Sequence, residues 1–206
     1  AFNRILISQI GFDAPFARGL DMFEEKADLE PFEEAKLFNH NATHALAGYL
    51  GAVQDLDYIS DLEAVPGMMD FLRDAAIKES GAALIRKYAG VDPLFTPDAF
   101  EAYASDLMVR MVNPYLRDTI QRVGRDPQRK LGWNDRLVGT MRMILAHKIE
   151  PRRYAIGAAA ALAQLEPGVL DGSMRMADVL DTVWADQETD PKERRDVLDR
   201  IHIGMK

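Results

Sequence analysis

The sequence predicts a mainly α-helical protein of many helices, preceded by one extended segment. Ala, Leu and Met, which favour helices, are twice as numerous as Val, Ile and Thr, which favour strands. The alternation typical of a strand occurs only in the first ten residues. With 206 residues, of which 48% are hydrophobic, the chain can bury a sizeable core in one large domain.

The extended segment, residues 2–10 (FNRILISQI), is the only predicted strand. An isolated strand is unstable in water, so we expect it to need a partner from a sheet outside this chain. Residues 11–30 are rich in glycine and acidic residues and are predicted to form a connector. We therefore divide the chain into a strand and connector over 1–30 and a helical domain over 31–206.

Helical periodicity begins at Pro31 and continues to the end of the chain. The predicted helices cover residues 31–52, 67–89, 97–111, 133–147, 151–164, 176–185 and 191–202. Two of their starts have clear capping patterns, because Thr96-Pro97 and Asp190-Pro191 place a capping residue before a proline at the first helical position.

Composition argues against several functional classes. The net charge is −8, so general nucleic-acid binding is not expected. There is no cysteine, which excludes disulfides and thiolate metal sites. No apolar run is long enough for a transmembrane helix, and no secretory signal begins the chain, so we expect a cytoplasmic protein without membrane contact. The start without Met indicates a piece of a longer chain.

Four polar side chains share one face of the predicted helix 31–52, namely Lys36, His40, Asn41 and His44. Asn and His are weak helix formers, whereas solvated faces usually consist of Glu, Lys and Arg. The residues alone leave three interpretations open. The face could be solvated, it could bind a metal through the i, i+4 pair His40 and His44 as in an HExxH helix, or it could transfer protons with Lys36 as the base.

This segment resembles the catalytic helix of the polyol-specific long-chain dehydrogenases, because Lys36-x4-Asn41-x2-His44 matches their catalytic signature. A second block, residues 113–131 (NPYLRDTIQRVGRDPQRKL), resembles the family's NP…DT..R…K segment. With NDRL following it, this block is closest to the mannitol-1-phosphate 5-dehydrogenase branch. The similarity extends loosely from Phe2 to Gln164.

The resemblance implies that the chain is the helical C-terminal domain of a two-domain dehydrogenase. The N-terminal Rossmann domain of the same protein would bind NAD, since this chain contains no GxGxxG, and strand 2–10 would return from its sheet. The reaction would be NAD-dependent and metal-independent, and would interconvert mannitol 1-phosphate and fructose 6-phosphate. Lys36 would be the general base, while Asn41 and His44 would donate hydrogen bonds to the reacting oxygen.

The second block would also bind the substrate. Residues 117–136 contain six basic and three acidic residues in an otherwise acidic chain. The resemblance assigns Arg122 and Lys130 to substrate hydroxyls. Arg125 and Arg129 are additional, and we predict that they contact a phosphate, because a guanidinium binds phosphate through paired hydrogen bonds.

Other functions remain open at this point. Within the same family, the chain could belong to a mannitol 2-dehydrogenase or a hexuronate reductase, and the substrate would then be a polyol or sugar acid. From other classes, it could be a non-catalytic helical binding module that uses residues 117–136, or a metal hydrolase built on His40 and His44.

Overall fold

The computed structural model describes residues 5–9, 11, 19 and 22–206, and it confirms the mainly helical class. Two short strands, β1 (Ile5–Ser8) and β2 (Phe23–Lys26), precede the helices and pair in parallel. The expectation that the strand finds no partner in this chain is therefore wrong, because β2 lies within the predicted connector. Of the rest of the predicted strand, Gln9 is described, whereas residues 2–4 and 10 lie outside the described residues.

Lys26 attaches β2 to the helical part of the chain. Its Nζ lies 2.6 Å from Asp92 Oδ2 and 2.6 Å from Glu24 Oε1. The same ammonium lies 4.8 Å from the centre of the Phe32 ring, a cation–π contact. The two strands thus pair with each other and are linked to the helices by a half-buried ion pair.

The α-helices follow one another with short connections. They are α1 (Glu30–Ala35), α2 (Ala42–Val53), α3 (Met68–Asp74), α4 (Ala82–Lys87), α5 (Pro97–Met111), α6 (Ile120–Gly124), α7 (Pro127–Lys130), α8 (Val138–Ala146), α9 (Arg152–Leu165), α10 (Gly168–Asp171), α11 (Met176–Val183) and α12 (Pro191–Gly204). Short 3₁₀ turns lie at Ile59–Ala64, Pro93–Phe95 and Pro114–Leu116. None of the helices in the described part of the chain is both long and apolar enough to cross a bilayer.

The long predicted helices are confirmed to within a few residues, apart from one start. The predicted helix 133–147 begins only at Val138, because the preceding residues turn back towards α7. In this turn, the Leu137 N–H donates to the Lys130 carbonyl at 3.1 Å. The short helices α6, α7 and α10 are not predicted by the sequence.

Two π-helical segments interrupt the long helices. Lys36–Asn41 joins α1 to α2, and Ala75–Gly81 joins α3 to α4. In the first, the Ala42 N–H bonds to the Leu37 carbonyl, five residues back. Such segments are rare in α-helices and frequently occur at functional sites.

A buried hydrogen-bond network connects the two π segments to α9. The Asn39 side-chain amide donates to the Ala76 carbonyl at 2.6 Å and to Ser80 Oγ at 2.8 Å. The hydroxyls of Ser80 and Tyr154 lie 2.9 Å apart, and those of Tyr154 and Thr43 lie 2.8 Å apart. Because Asn39 lies between Lys36 and Asn41, this network holds the segment that carries two predicted catalytic residues.

The core centres on α2 and α9, with α6 against α2 and α12 against α9. Small residues allow α2 and α9 to approach closely, as the Ala-rich stretch 155–163 predicts. A Cβ added at Gly157 would lie only 2.5 Å from Leu46 Cδ1. The packing leaves Asn41 and His44 beside α6, α7 and the turn before α8.

Candidate active site

A cleft of about 220 Å³ brings together most of the predicted site residues. It lies between α2, α6, α7 and the turn before α8. Its lining residues are Asn41, His44, Ala45, Arg122, Val123, Arg125, Arg129, Lys130 and Arg136. Of the seven residues predicted to act in catalysis or substrate binding, only Lys36 does not line this cleft.

Lys36 lies at the start of the first π segment and is exposed. Its positive charge contributes to lowering the pKa of His40, which places it near that imidazole. The described part of this chain does not bury the Lys36 amine.

His44 is neutral at physiological pH. Burial, followed by the charges of Arg122, Arg136 and Lys130, lowers the pKa of His44 to about 4. Its Nε2 lies 3.4 Å from Asp118 Oδ2, without the geometry of a hydrogen bond. Because the imidazole is uncharged, this contact is not an ion pair at pH 7. A neutral imidazole keeps one N–H that can donate to a substrate oxygen.

His40 has a similar environment. Burial, followed by Arg110 and His44, lowers the pKa of His40 to about 4. A metal site on this pair would need at least one further ligand. Within residues 5–9, 11, 19 and 22–206, no three His, Asp or Glu side chains converge as a metal-binding group.

Asp118 is a buried carboxylate next to the cleft, with 8% of its side chain exposed. It forms an ion pair with the Arg122 guanidinium, one helical turn further along. Its main chain is held by the Ile59 N–H, which donates to the Asp118 carbonyl at 2.9 Å. Asp118 thus orients Arg122 and contacts His44. In the sequence it is one acid within a basic segment, so its role was not predicted.

Lys130 is almost fully buried. Its Nζ donates to the Arg125 carbonyl and lies 5.7 Å from the centre of the Tyr49 ring. Burial, followed by the charges of Arg136 and Arg129, lowers the pKa of Lys130 to about 8. The Lys130 amine is therefore a fixed donor that loses its positive charge at a pH slightly above neutral.

Two side-chain caps explain why the short helices α6 and α7 form. The Thr119 hydroxyl accepts from the Arg122 N–H at 3.2 Å, and the Asp126 carboxylate accepts from the Arg129 N–H at 3.4 Å. Both patterns satisfy a backbone donor that would otherwise have no partner in the first turn. The caps fix where Arg122 and Arg129 lie along the cleft.

The remaining arginines differ in their surroundings. Arg129 is half exposed, and its Nε lies 3.2 Å from Asp126 Oδ2. Arg125 is exposed. Arg136 is mostly buried and was not predicted as a site residue, although it belongs to the basic segment 117–136 and to the NDRL motif. Only the turn between α7 and α8 brings it into the cleft.

A comparison with known protein families identifies the domain to which the cleft belongs. The family model of the mannitol dehydrogenase C-terminal domain matches residues 28–199. The match begins just before α1 and ends within α12, and it includes every residue that lines the cleft. It confirms the resemblance that the two sequence motifs indicate. The chain belongs to the mannitol dehydrogenase C-terminal domain family, and thereby to the polyol-dehydrogenase group of oxidoreductases.

Proposed function

We propose that this chain is the substrate-binding and catalytic domain of an NAD-dependent, metal-independent dehydrogenase that interconverts mannitol 1-phosphate and fructose 6-phosphate. The observation that supports this proposal is the cleft itself. It combines uncharged donors from the π segment and α2, Asn41 and His44, with several cations from residues 122–136. Uncharged donors suit an alcohol or carbonyl oxygen, and guanidinium groups suit a phosphate.

NAD would be held mainly by a nucleotide-binding domain that precedes this one in the same protein. When bound, NAD supplies the acceptor for the hydride that leaves the alcohol carbon. Lys36 is exposed at the start of the π segment, so a nicotinamide carried by another domain has access to it. Docking of that domain would also bury the Lys36 amine, which favours the uncharged form that a base requires.

In the oxidation direction, Lys36 accepts the hydroxyl proton as the substrate carbon loses its hydride. The Asn41 amide and the neutral His44 imidazole donate hydrogen bonds to the oxygen as negative charge develops on it. In the reduction direction, the Lys36 ammonium returns the proton to the same oxygen. Arg122 and Lys130 hold the substrate hydroxyls, and Arg125 and Arg129 attract the phosphate.

The role of Lys36 is tested by Lys36→Ala in the complete protein. We expect kcat to fall by about 10²–10⁴, the usual contribution of a general base, while the fold survives because Lys36 is not in the core. Added primary amines should restore part of the activity. Lys78→Ala is the matched control, since Lys78 is an exposed lysine in the other π segment. A near-normal kcat for Lys36→Ala at pH 7 would assign the base to another group.

The substrate is tested by comparing kcat/KM of the wild-type protein for fructose 6-phosphate and fructose with NADH. We expect a clear preference for the phosphorylated sugar. Equal values would favour a mannitol 2-dehydrogenase, and a preference for a ketohexuronate would favour a hexuronate reductase. Failure to reduce any of the three would support a non-catalytic binding module.

A further inference from the structure

Arg136 is a cleft cation whose nearest counter-charge among the described residues, Asp135, does not hydrogen-bond to its guanidinium. Only 26% of its side chain is exposed, and it lines the cleft beside Lys130 and His44. Its Nε is buried and lacks a hydrogen-bond partner among the residues that the structure describes. The Asp135 Oδ1 lies 3.9 Å from this Nε, beyond hydrogen-bond reach, and accepts instead from the Arg136 backbone N–H at 2.7 Å.

The other cations of the cleft are differently placed. Arg122 is paired with Asp118, and Arg129 with Asp126. Lys130 donates to the carbonyl of Arg125, and the Arg125 side chain is exposed to water. Arg136 alone among the lining cations combines substantial burial with a buried donor that has no partner within the described chain.

Leaving such a donor unpaired costs free energy, because a buried charged group loses hydration without gaining a hydrogen bond. An anion bound at the cleft side of the guanidinium would compensate its charge. A guanidinium is also suited to the task, since its donors lie in one plane and can hold two oxygens of a phosphate or carboxylate at once.

The backbone around Arg136 is held in place. The Thr140 hydroxyl donates to the Arg136 carbonyl, and the Leu137 N–H donates to the Lys130 carbonyl at 3.1 Å. The charge of Arg136 contributes to lowering the pKa of both Lys130 and His44, which places it close to both groups. The backbone that carries Arg136 is therefore fixed before any ligand enters the cleft.

We propose that Arg136 is the residue that binds the anionic end of the substrate, with Arg125 and Arg129 providing longer-range attraction. This inference rests on the proposed function, in which that end is the phosphate of fructose 6-phosphate. The chemistry is shared by a terminal carboxylate, so a ketohexuronate is the second ligand to be tested.

The experiment compares kcat/KM for fructose 6-phosphate, a ketohexuronate and fructose in the complete wild-type protein and in Arg136→Gln. For the anionic substrate that the wild type prefers, the variant should lose about 10- to 100-fold, mainly through KM, as expected for a hydrogen bond to a charged group. Activity on fructose, which has no anionic group, should change less than threefold. Arg136→Lys, which keeps the charge but not the paired donors, should lose an intermediate amount.

Two further variants calibrate the result. Arg129→Gln should lose less than Arg136→Gln on the anionic substrate, because Arg129 is half exposed and already paired. Arg175→Gln removes an arginine that is 81% exposed and lies outside the cleft, and it should leave all three substrates unaffected. If Arg136→Gln does not fold, Arg136→Lys is used instead. Inorganic phosphate is then tested as an inhibitor of fructose reduction, and its inhibition constant should be higher for Arg136→Lys than for the wild type.

The outcomes separate the inference from the proposed function. Equal losses on the anionic substrate and on fructose, or no loss on either, would overturn the role of Arg136. A wild type that prefers the ketohexuronate, with that preference lost in Arg136→Gln, would retain Arg136 as the anion-binding residue but reject the phosphorylated substrate. A wild type that prefers neither anion would reject both.

Discussion

The contact between α2 and α6 depends on two glycines, and a single added methyl group at each tests how the cleft is built. A Cβ at Gly48 would lie 2.7 Å from Val123 Cγ1 and 3.3 Å from the Gly124 nitrogen. A Cβ at Gly51 would lie 2.3 Å from Ile120 Cδ1. The second contact is shorter, but Cδ1 is the end of a flexible side chain and can rotate away, which leaves Ile120 Cγ1 at 3.1 Å as the nearest remaining atom. Val123 is β-branched and stiff, and the backbone lies directly beside it.

We therefore expect Gly48→Ala to be less stable than Gly51→Ala by about 1–2 kcal/mol. Overpacking a core contact costs about 1–3 kcal/mol, and replacing a helical Gly by Ala returns about 1 kcal/mol. At Gly51 the strain is small, so the variant should be neutral or slightly stabilised. At Gly48 the strain exceeds the gain, and α6 must move away from α2.

A shift of α6 also moves Arg122, so Gly48→Ala should raise KM for the sugar substrate while Gly51→Ala should not. Stability is measured by urea denaturation of the complete protein, followed by far-UV circular dichroism, with the m values compared. The reasoning is refuted if Gly51→Ala is the less stable variant, or if Gly48→Ala matches the wild type in both stability and KM.

Two further predictions concern single residues. Because the pKa of His44 is lowered to about 4 in the folded protein, the unfolded chain takes up a proton first as the pH falls, and stability is lost between about pH 6.5 and 4. In urea titrations between pH 7 and 4.5, His44→Gln should therefore lose less stability than the wild type. The control is His202→Gln, which changes an exposed histidine. Identical losses in all three proteins would contradict the assignment of the lost stability to His44. Asn39→Ala removes two buried hydrogen bonds, so the free energy of unfolding should fall by about 1–3 kcal/mol and kcat should fall more than KM changes. A stability loss with unchanged kcat would show that this network does not position the π segment for catalysis.

Local patterns were sufficient to predict the long helices and some of their ends. The Asp190 carboxylate caps α12 by accepting from the N–H groups of Lys192 and Glu193. Helix α5 begins at Pro97 as predicted, but the Thr96 hydroxyl donates to the Pro93 carbonyl and does not cap it. The residue at which a helix starts depends on the local backbone conformation, which the sequence pattern indicates. The atom to which a capping side chain hydrogen-bonds depends also on the turns nearby.

Features that depend on tertiary structure were not predictable. Strand β2 has the sequence FEEK, in which three of four residues are charged, and its partner is distant in the chain. The full burial of Asn39 depends on hydrogen-bond partners that lie 37 and 41 residues away in the chain, which the sequence pattern does not show. Asp118 and Arg136 acquire their roles only when the turns around α6 and α7 fold against α2.

The cations of the cleft have two effects that follow from one arrangement. They attract an anion, and together with burial they favour the neutral form of His44, although the carboxylate of Asp118 lies only 3.4 Å from its Nε2. If His44 were protonated, it would compete with Arg122 for that carboxylate. Because it stays neutral, His44 does not compete for that carboxylate, and Asp118 remains paired with Arg122. Thus, in the proposed reaction, residues from the basic segment bind one end of the substrate and also keep the hydrogen-bond donor at the other end in its uncharged form.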